Sequence, residues 1–323
     1  CIRDSEHPDA VPPSVRKHVD LNTGNDRGRI YRVVPDGVRP RRPLKMSGMT
    51  TEQVAQLLCD PNVSIRRTAA RLLYERQDRS IAPLLEELVA TAPAPATRVH
   101  ALYALACLES LSEMAILTAL NDPAPPVREH AVRTSERLLD ASPAIRSRLY
   151  ALAQDSDMRV RYQLAFTLGQ DPGEQATSAL ATIAQQNLAD RWIQLATLSS
   201  CSGRSGDLFA ALANNPEVRH SAPALPLLEA LAEQAGRHSR TDQVAEIFKL
   251  LDQFSEQDRQ LSQSTVRGLS RGLTHTQSPL LASLNSASGS RAAAMLSEMI
   301  DAAKLTAVDS NAPLSQRVAA VQS

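Results

Sequence analysis

The chain has 323 residues, of which 47 are Ala, 42 are Leu and only ten are aromatic, with 35 basic and 35 acidic side chains. Two strong helix formers in such number favour helices packed on helices over a sandwich or barrel, whose strands draw on β-branched and aromatic residues. A net charge of zero argues against a nucleic-acid partner, since nucleic-acid-binding domains are basic. No uninterrupted apolar run approaches the ~20 residues of a membrane-spanning helix.

Residues 1–46 differ from the rest, with ten basic against six acidic residues (net +4, against −4 for residues 47–323) and several prolines. No apolar h-region follows Cys1, so no signal peptide is visible, and the chain reads as a piece of a longer protein. Gly28–Val34 (Gly-Arg-Ile-Tyr-Arg-Val-Val) is predicted as one strand between the turn signals Asp26-Arg27-Gly28 and Pro35-Asp36-Gly37. A lone strand is not stable, so its partners are expected upstream of Cys1. Val38–Pro43 reads as an extended linker, because residues before proline are driven out of the helical region.

From Thr50 the pattern changes to repeats. Thr50 with Gln53 has the spacing of a capping box, Val54, Leu57 and Leu58 form an apolar stripe, and Asp60-Pro61-Asn62 ends the helix. A second helix follows with Ile65, Ala69, Leu72 and Leu73 at helical spacing. The unit recurs, marked by a turn residue, a proline or small residue, a branched apolar residue, Arg and a small core residue. Arg66, Arg98, Arg128, Arg161, Arg191 and Arg219 mark successive units, at steps of 32, 30, 33, 30 and 28 residues. Each step holds two helices of ten to fifteen residues, which predicts an α-solenoid of helical hairpins.

The Asp-Pro…Val-Arg…Ala marker resembles that of HEAT repeats, clearly over residues 47–220 and in degenerate form over 221–323. In the latter part helices are predicted at Ala224–Ala235, Gln243–Phe254, Leu261–Leu273 and Ala292–Leu305, and the marker returns at Pro313–Ala320. The first segment carries a second resemblance. Glu6-His7-Pro8, Pro12-Pro13, Lys17–Leu21 and above all Gly24-Asn25-Asp26-Arg27-Gly28-Arg29-Ile30-Tyr31-Arg32-Val33 look like the end of a β-propeller in the planctomycete-type "membrane-bound dehydrogenase", or haem-binding CxxCH, family. That resemblance implies a propeller similar to sugar dehydrogenases, then a HEAT-like array, then a c-type cytochrome, in an exported or cell-envelope protein. Residues 1–46 would be the propeller remnant and linker, and 47–323 the array. The chain contains no CxxCH, so haem c, and a quinone, would belong to other parts of the parent.

No catalytic, cofactor or metal site is predicted. A repeating ladder of Asp60, Arg66, Arg98, Asp122, Arg128, Asp155, Arg161, Arg191 and Arg219 has two readings. Equivalent residues stack in a solenoid, so each Arg can satisfy turn carbonyls and a neighbouring carboxylate; alternatively, the arginines form a basic stripe for an acidic partner. The seven histidines offer no HxH or HxxxH pair for a metal. Cys59 and Cys107 sit in apolar helical patterns and are expected to be buried free thiols. Gly203-Arg204-Ser205-Gly206 follows no strand and lacks the GxSxG form of a nucleophile elbow, and no GxxxxGK phosphate loop occurs. The leading functional expectation is a non-catalytic scaffold or interaction module that spaces a dehydrogenase-like propeller from a cytochrome. The alternative makes residues 1–34 part of the enzyme, with Glu6-His7-Pro8 completing its pocket. A HEAT-like lyase lacks the paired catalytic residues it requires.

Overall fold

The computed structural model describes residues 12–18, 36–37, 44–238 and 241–274, with isolated positions between 294 and 317. The predicted strand at 28–34, the linker at 38–43 and most of the helical patterns at 292–305 and 313–320 lie outside the described residues. The chain divides into two compact units, Cys1–Gly48 and Met49–Ser323. Among the described residues of the first, one short helix, α1 (Pro13–Arg16), begins at a proline.

In the second unit the predicted capping box is present. The Thr50 hydroxyl accepts from the Gln53 N–H and the Gln53 side chain accepts from the Thr50 N–H at 3.0 Å, starting α2 (Thr51–Gln56). A 3-10 turn at Leu57–Cys59 ends it. Asn62 then caps α3 (Val63–Arg76), which closes at Gln77 in the left-handed region. The alternation continues through α4 (Ala82–Thr91), α5 (Pro95–Cys107), α6 (Glu113–Leu120), α7 (Pro125–Ser135), α8 (Pro143–Ala151), α9 (Met158–Thr167), α10 (Glu174–Gln186), α11 (Arg191–Ser200) and α12 (Ser205–Ala213). Several helices begin at the prolines of the repeat marker, because the first helical N–H needs no partner and proline supplies the helical φ in advance.

Each odd-numbered helix from α3 to α11 folds back on the even-numbered helix or turn before it. Even helices stack on even and odd on odd, giving two layers, and the unit is an all-helical solenoid of hairpins. Among the described residues there is no strand, and no helix is long and apolar enough to cross a membrane. Alanine and leucine abundance reflects this stacking. Seven residues past the helix cap stand Ala69, Ala101, Ala131 and Leu164, all fully buried, and the small side chains let successive helices approach closely.

Beyond Ala213 the second layer shortens to one turn, α13 (Pro216–Arg219), which is why the marker fades from the sequence while helices persist. The predicted helices at 224–235, 243–254 and 261–273 appear as α14 (Leu225–His238), α15 (Thr241–Gln253) and α16 (Arg259–Thr274). Helices α14 and α16 run parallel in the tightest seam of the described chain. A Cβ on Gly268 would lie 2.3 Å from the Glu229 carbonyl oxygen, one on Gly272 2.2 Å from that of Glu233, and one on Gly236 2.9 Å from that of Leu269. Only glycine admits backbone at that range.

Candidate functional site

The second-layer helices begin at equivalent caps: Asn62, Ala94, Ala124, Asp157 and Asp190. Four residues past each cap stand Arg66, Arg98, Arg128, Arg161 and Gln194. Each donates to the carbonyl six residues before itself: Arg66 to Asp60 (2.8 Å), Arg98 to Ala92 (2.6 Å), Arg128 to Asp122 (2.8 Å), Arg161 to Asp155 (2.5 Å) and Gln194 to Leu188 (2.5 Å). Those carbonyls lie in the loop entering the helix, where no backbone partner is available, so the side chain braces the turn.

Four of the five side chains also reach the next repeat. Arg98 forks onto Asp122 at 2.6 and 2.9 Å, and Arg128 onto Asp155 at 2.7 and 2.8 Å. Arg161 donates to the Asn187 side chain at 2.9 Å, and Gln194 to the Pro223 carbonyl at 3.1 Å. Each carboxylate also accepts the N–H two residues on, Ala124 for Asp122 and Asp157 for Asp155. Arg66 faces a repeat in which Ala92 stands where the carboxylate would be, and its Nε has no partner. At the head of the series, Asp60 bonds the Asn62 N–H at 2.8 Å.

Burial pushes the Asp155 carboxyl up, but hydrogen bonds from Arg128 and the Asp157 N–H, with the charges of Arg128 and Arg148, outweigh it and hold its pKa below the usual value. The same bond raises Arg128. Asp155 therefore adds stability above its unfolded value of about 3.8, and loses it as pH falls through the lower folded one.

Arg191 departs from the expected ladder. It occupies the first position of α11 and is exposed, while Gln194 makes the bracing bond. The N-cap, rather than the presence of an arginine, sets the register. Arg219 keeps the position four residues past its cap, Asn215, but turns to Asp258 at 3.7 Å and lies over the Phe254 ring. His220 joins the same carboxylate at 3.2 Å.

The other candidates have structural partners. Ser205 is buried, and its hydroxyl donates to the Cys201 carbonyl and the Gln234 side chain, both at 3.1 Å; among the described residues no imidazole bonds to it. Arg204 is buried against the carbonyls of Leu168, Asp171 and Ser200 at 2.5, 2.6 and 3.0 Å. Among the described residues no three His, Cys, Asp or Glu side chains gather as a metal site.

The cysteine expectation is corrected: Cys59 and Cys107 are free but exposed, and Cys201 is the buried thiol. Cys59 follows the buried Leu58 and Cys107 ends α5, so each is rotated off the apolar stripe by the ~100° between helix neighbours. Burial pushes the Cys201 thiol up, which makes it inert. In a Cys1→Ser background, titration of the native chain with an aromatic disulfide reagent is expected to find Cys59 and Cys107 reactive, and Cys201 only after denaturation. Fast reaction of Cys201 would contradict this packing.

His100 and His130 occupy matching half-buried positions on α5 and α7. The His130 Nδ1 lies 3.0 Å from the Tyr103 hydroxyl, and the two rings meet edge-on at 5.4 Å. Burial lowers the pKa of His100, and Arg66 and Arg67 lower it further. Burial also lowers that of His130; Glu129 opposes the shift, and Arg133 and Arg159 add to it. For a histidine with a depressed folded pKa, the unfolded chain binds the proton first, so stability falls as pH drops below about 6.5. Both rings are partly solvated, so the expected loss between neutral pH and pH ~5.5 is ~1–3 °C in Tm. The double substitution His100→Asn and His130→Asn should reduce the drop, and an unchanged drop would remove these rings from the account.

One exposed face is not among the sequence-based expectations. Five of the ten aromatic residues, Tyr74, Tyr103, Tyr162, Phe166 and Trp192, lie on second-layer helices. Met158, Tyr162 and Phe166 follow one another at four-residue spacing on α9, and Trp192 and Leu195 stand on the adjacent α11. Trp192 is 66 % exposed, and Met158, Phe166 and Leu195 are exposed too. Between the two helices is a hollow of ≈ 280 Å³ lined by Met158, Arg159, Tyr162, Asp190, Trp192 and Ile193. The signal was present: these rows carry Arg67 and Arg71 on α3, and Glu129 and Arg133 on α7, but apolar residues here.

No protein-family model and no curated protein matches the chain.

Proposed function

We propose that the helical array is a non-catalytic scaffold and protein-interaction module. The observation carrying this reading is that the recurring polar side chains from Arg66 to Gln194 brace turns, and four of the five also tie one repeat to the next. The polar side chains of Ser205, Cys201 and Arg204 are likewise engaged in packing. A rigid stack of hairpins is suited to holding other bodies at fixed separation and to presenting a continuous face.

In the finer form of the proposal, the array separates a dehydrogenase-like propeller from a c-type cytochrome in a longer parent, supported by the Gly24–Val33 block alone. Haem c and a quinone would be carried by those neighbouring domains. The purified chain should oxidise neither sugars nor alcohols with an artificial electron acceptor. Turnover above a heat-denatured control would overturn the scaffold reading.

A further inference from the structure

The face of α9 and α11 has the composition of a binding surface rather than of a solvated one. Large apolar side chains usually stay below the surface, and a contiguous exposed group of them marks a contact site. Here they form two adjoining rows around a hollow, with Tyr162 and Phe166 rings edge-on at 5.1 Å.

The charges around the rows are of both signs, Asp190 lining the hollow itself, but those left without an opposite partner are basic. Arg133 on α7 stands in the same register as Phe166 on α9, and Arg191 on α11 in the same register as Met158. Farther along the layer, Arg67 stands in the register of Tyr162. None of these three arginines has a carboxylate partner among the described residues, whereas the nearby acids are engaged. Glu129 pairs with Arg159 at 3.0 Å and Glu75 with Arg71 at 3.2 Å. Glu136 accepts the Thr167 hydroxyl, and Asp157 and Asp190 cap their helices. The face therefore offers apolar contact flanked by uncommitted guanidinium groups.

We infer that this face docks an acidic peptide segment of a protein partner, whose apolar anchors cover Met158, Tyr162 and Trp192 while its carboxylates pair with Arg133 and Arg191. The inference rests on the interaction-module reading and gives that module a surface and a partner chemistry. Arginine forks favour carboxylates over point contacts, and aromatic and arginine side chains dominate interface energetics. A basic partner meets like charge here, and an uncharged one leaves the arginines unused.

Trp192 is the only tryptophan in the chain, so its emission reports directly on cover at the site. A display library of random peptides about twelve residues long is panned on the full chain, and enriched peptides are resynthesised with a fluorescent label. The expected winners are net negative with Leu, Ile or Phe anchors. They should shift Trp192 emission to the blue and bind about tenfold or more weakly to the folded double variant Arg133→Glu, Arg191→Glu and to Trp192→Ala. Lack of enrichment, winners without acidic bias, or binding insensitive to these substitutions would overturn the surface. Redox turnover measured on the same preparation tests the scaffold reading separately, so the two can fail independently.

Discussion

Arg98→Ala is expected to destabilise the array by about 3–5 kcal/mol, the loss that follows when one member of a buried ion pair is removed. The Arg98 and Asp122 side chains are only 10 % and 7 % exposed, and their two bonds are 2.6 and 2.9 Å. Without the guanidinium, Asp122 keeps the Ala124 N–H at 2.8 Å but remains a carboxylate in a poorly solvated place, and the Ala92 carbonyl loses the side chain bracing it. Removing the charge as well, in Arg98→Ala with Asp122→Ala, should recover part of the loss, because an unpaired buried charge costs more than an absent pair. Arg98→Lys should fall between, since an ammonium cannot reproduce a fork that reaches a carboxylate and a carbonyl together. The control is Arg71→Ala, whose partner Glu75 lies one helical turn away with both side chains largely exposed; it should change stability by no more than about 0.5 kcal/mol. Urea unfolding of the four variants measures the contrast. Equal midpoints for Arg98→Ala and Arg71→Ala would mean that the ladder contributes no more than a surface pair.

Gly272→Ala sets two effects of opposite sign against each other. Alanine is favoured over glycine within a helix by about 0.8–1 kcal/mol, so on propensity alone α16 would gain. The added Cβ would lie 2.2 Å from the Glu233 carbonyl oxygen and 2.8 Å from the Arg237 nitrogen, and both are backbone atoms that cannot rotate aside. Forcing the seam open costs about 1–3 kcal/mol in strain alone, and it also weakens contacts on both sides, where Ala232, Ala235, Leu269 and Leu273 are buried. The net expectation is destabilisation by about 1–3 kcal/mol, with Gly268→Ala behaving alike at 2.3 Å from the Glu229 carbonyl. Hydrogen exchange should show the loss first in α14 and α16. A Gly272→Ala protein more stable than the parent would show that the seam relaxes at little expense.

The array was legible in the sequence where side-chain identity and helical phase coincide. Thr50 with Gln53 announced a cap, Arg98 and Arg128 lie four residues past theirs, and the alanines at 69, 101 and 131 mark fully buried positions of the second layer. Phase became harder to read where identity misled. Arg191 falls at a convincing interval, yet phase assigns the brace to Gln194, a neutral side chain with the same reach. Cys59 and Cys107 have apolar neighbours, but each closes an element and turns outward. Glycines at 236, 268 and 272 read as poor helix residues, because what they permit is an approach between helices 30 or more residues apart in the chain. The aromatic face shares this character: Met158, Tyr162 and Phe166 have the spacing of a core stripe, and only the positions of the neighbouring helices show that no described residue covers them.

The parallel stacking of α3, α5, α7, α9 and α11 has an electrostatic consequence. Five helix macrodipoles lie side by side with their positive ends along one edge of the layer, an arrangement that is self-repelling unless each edge is neutralised. Asp122, Asp155, Asp157 and Asp190 stand along the amino-terminal edge, while Arg76 and Arg133 occupy last turns at the opposite edge. The carboxylates that receive Arg98 and Arg128 thus also offset dipoles that no single hairpin would have to balance. Arg66, Arg98, Arg128 and Arg161 stand at that same amino-terminal edge, so its carboxylates are paired as well as dipole-facing, and each added repeat lengthens this edge of paired charges by one helix.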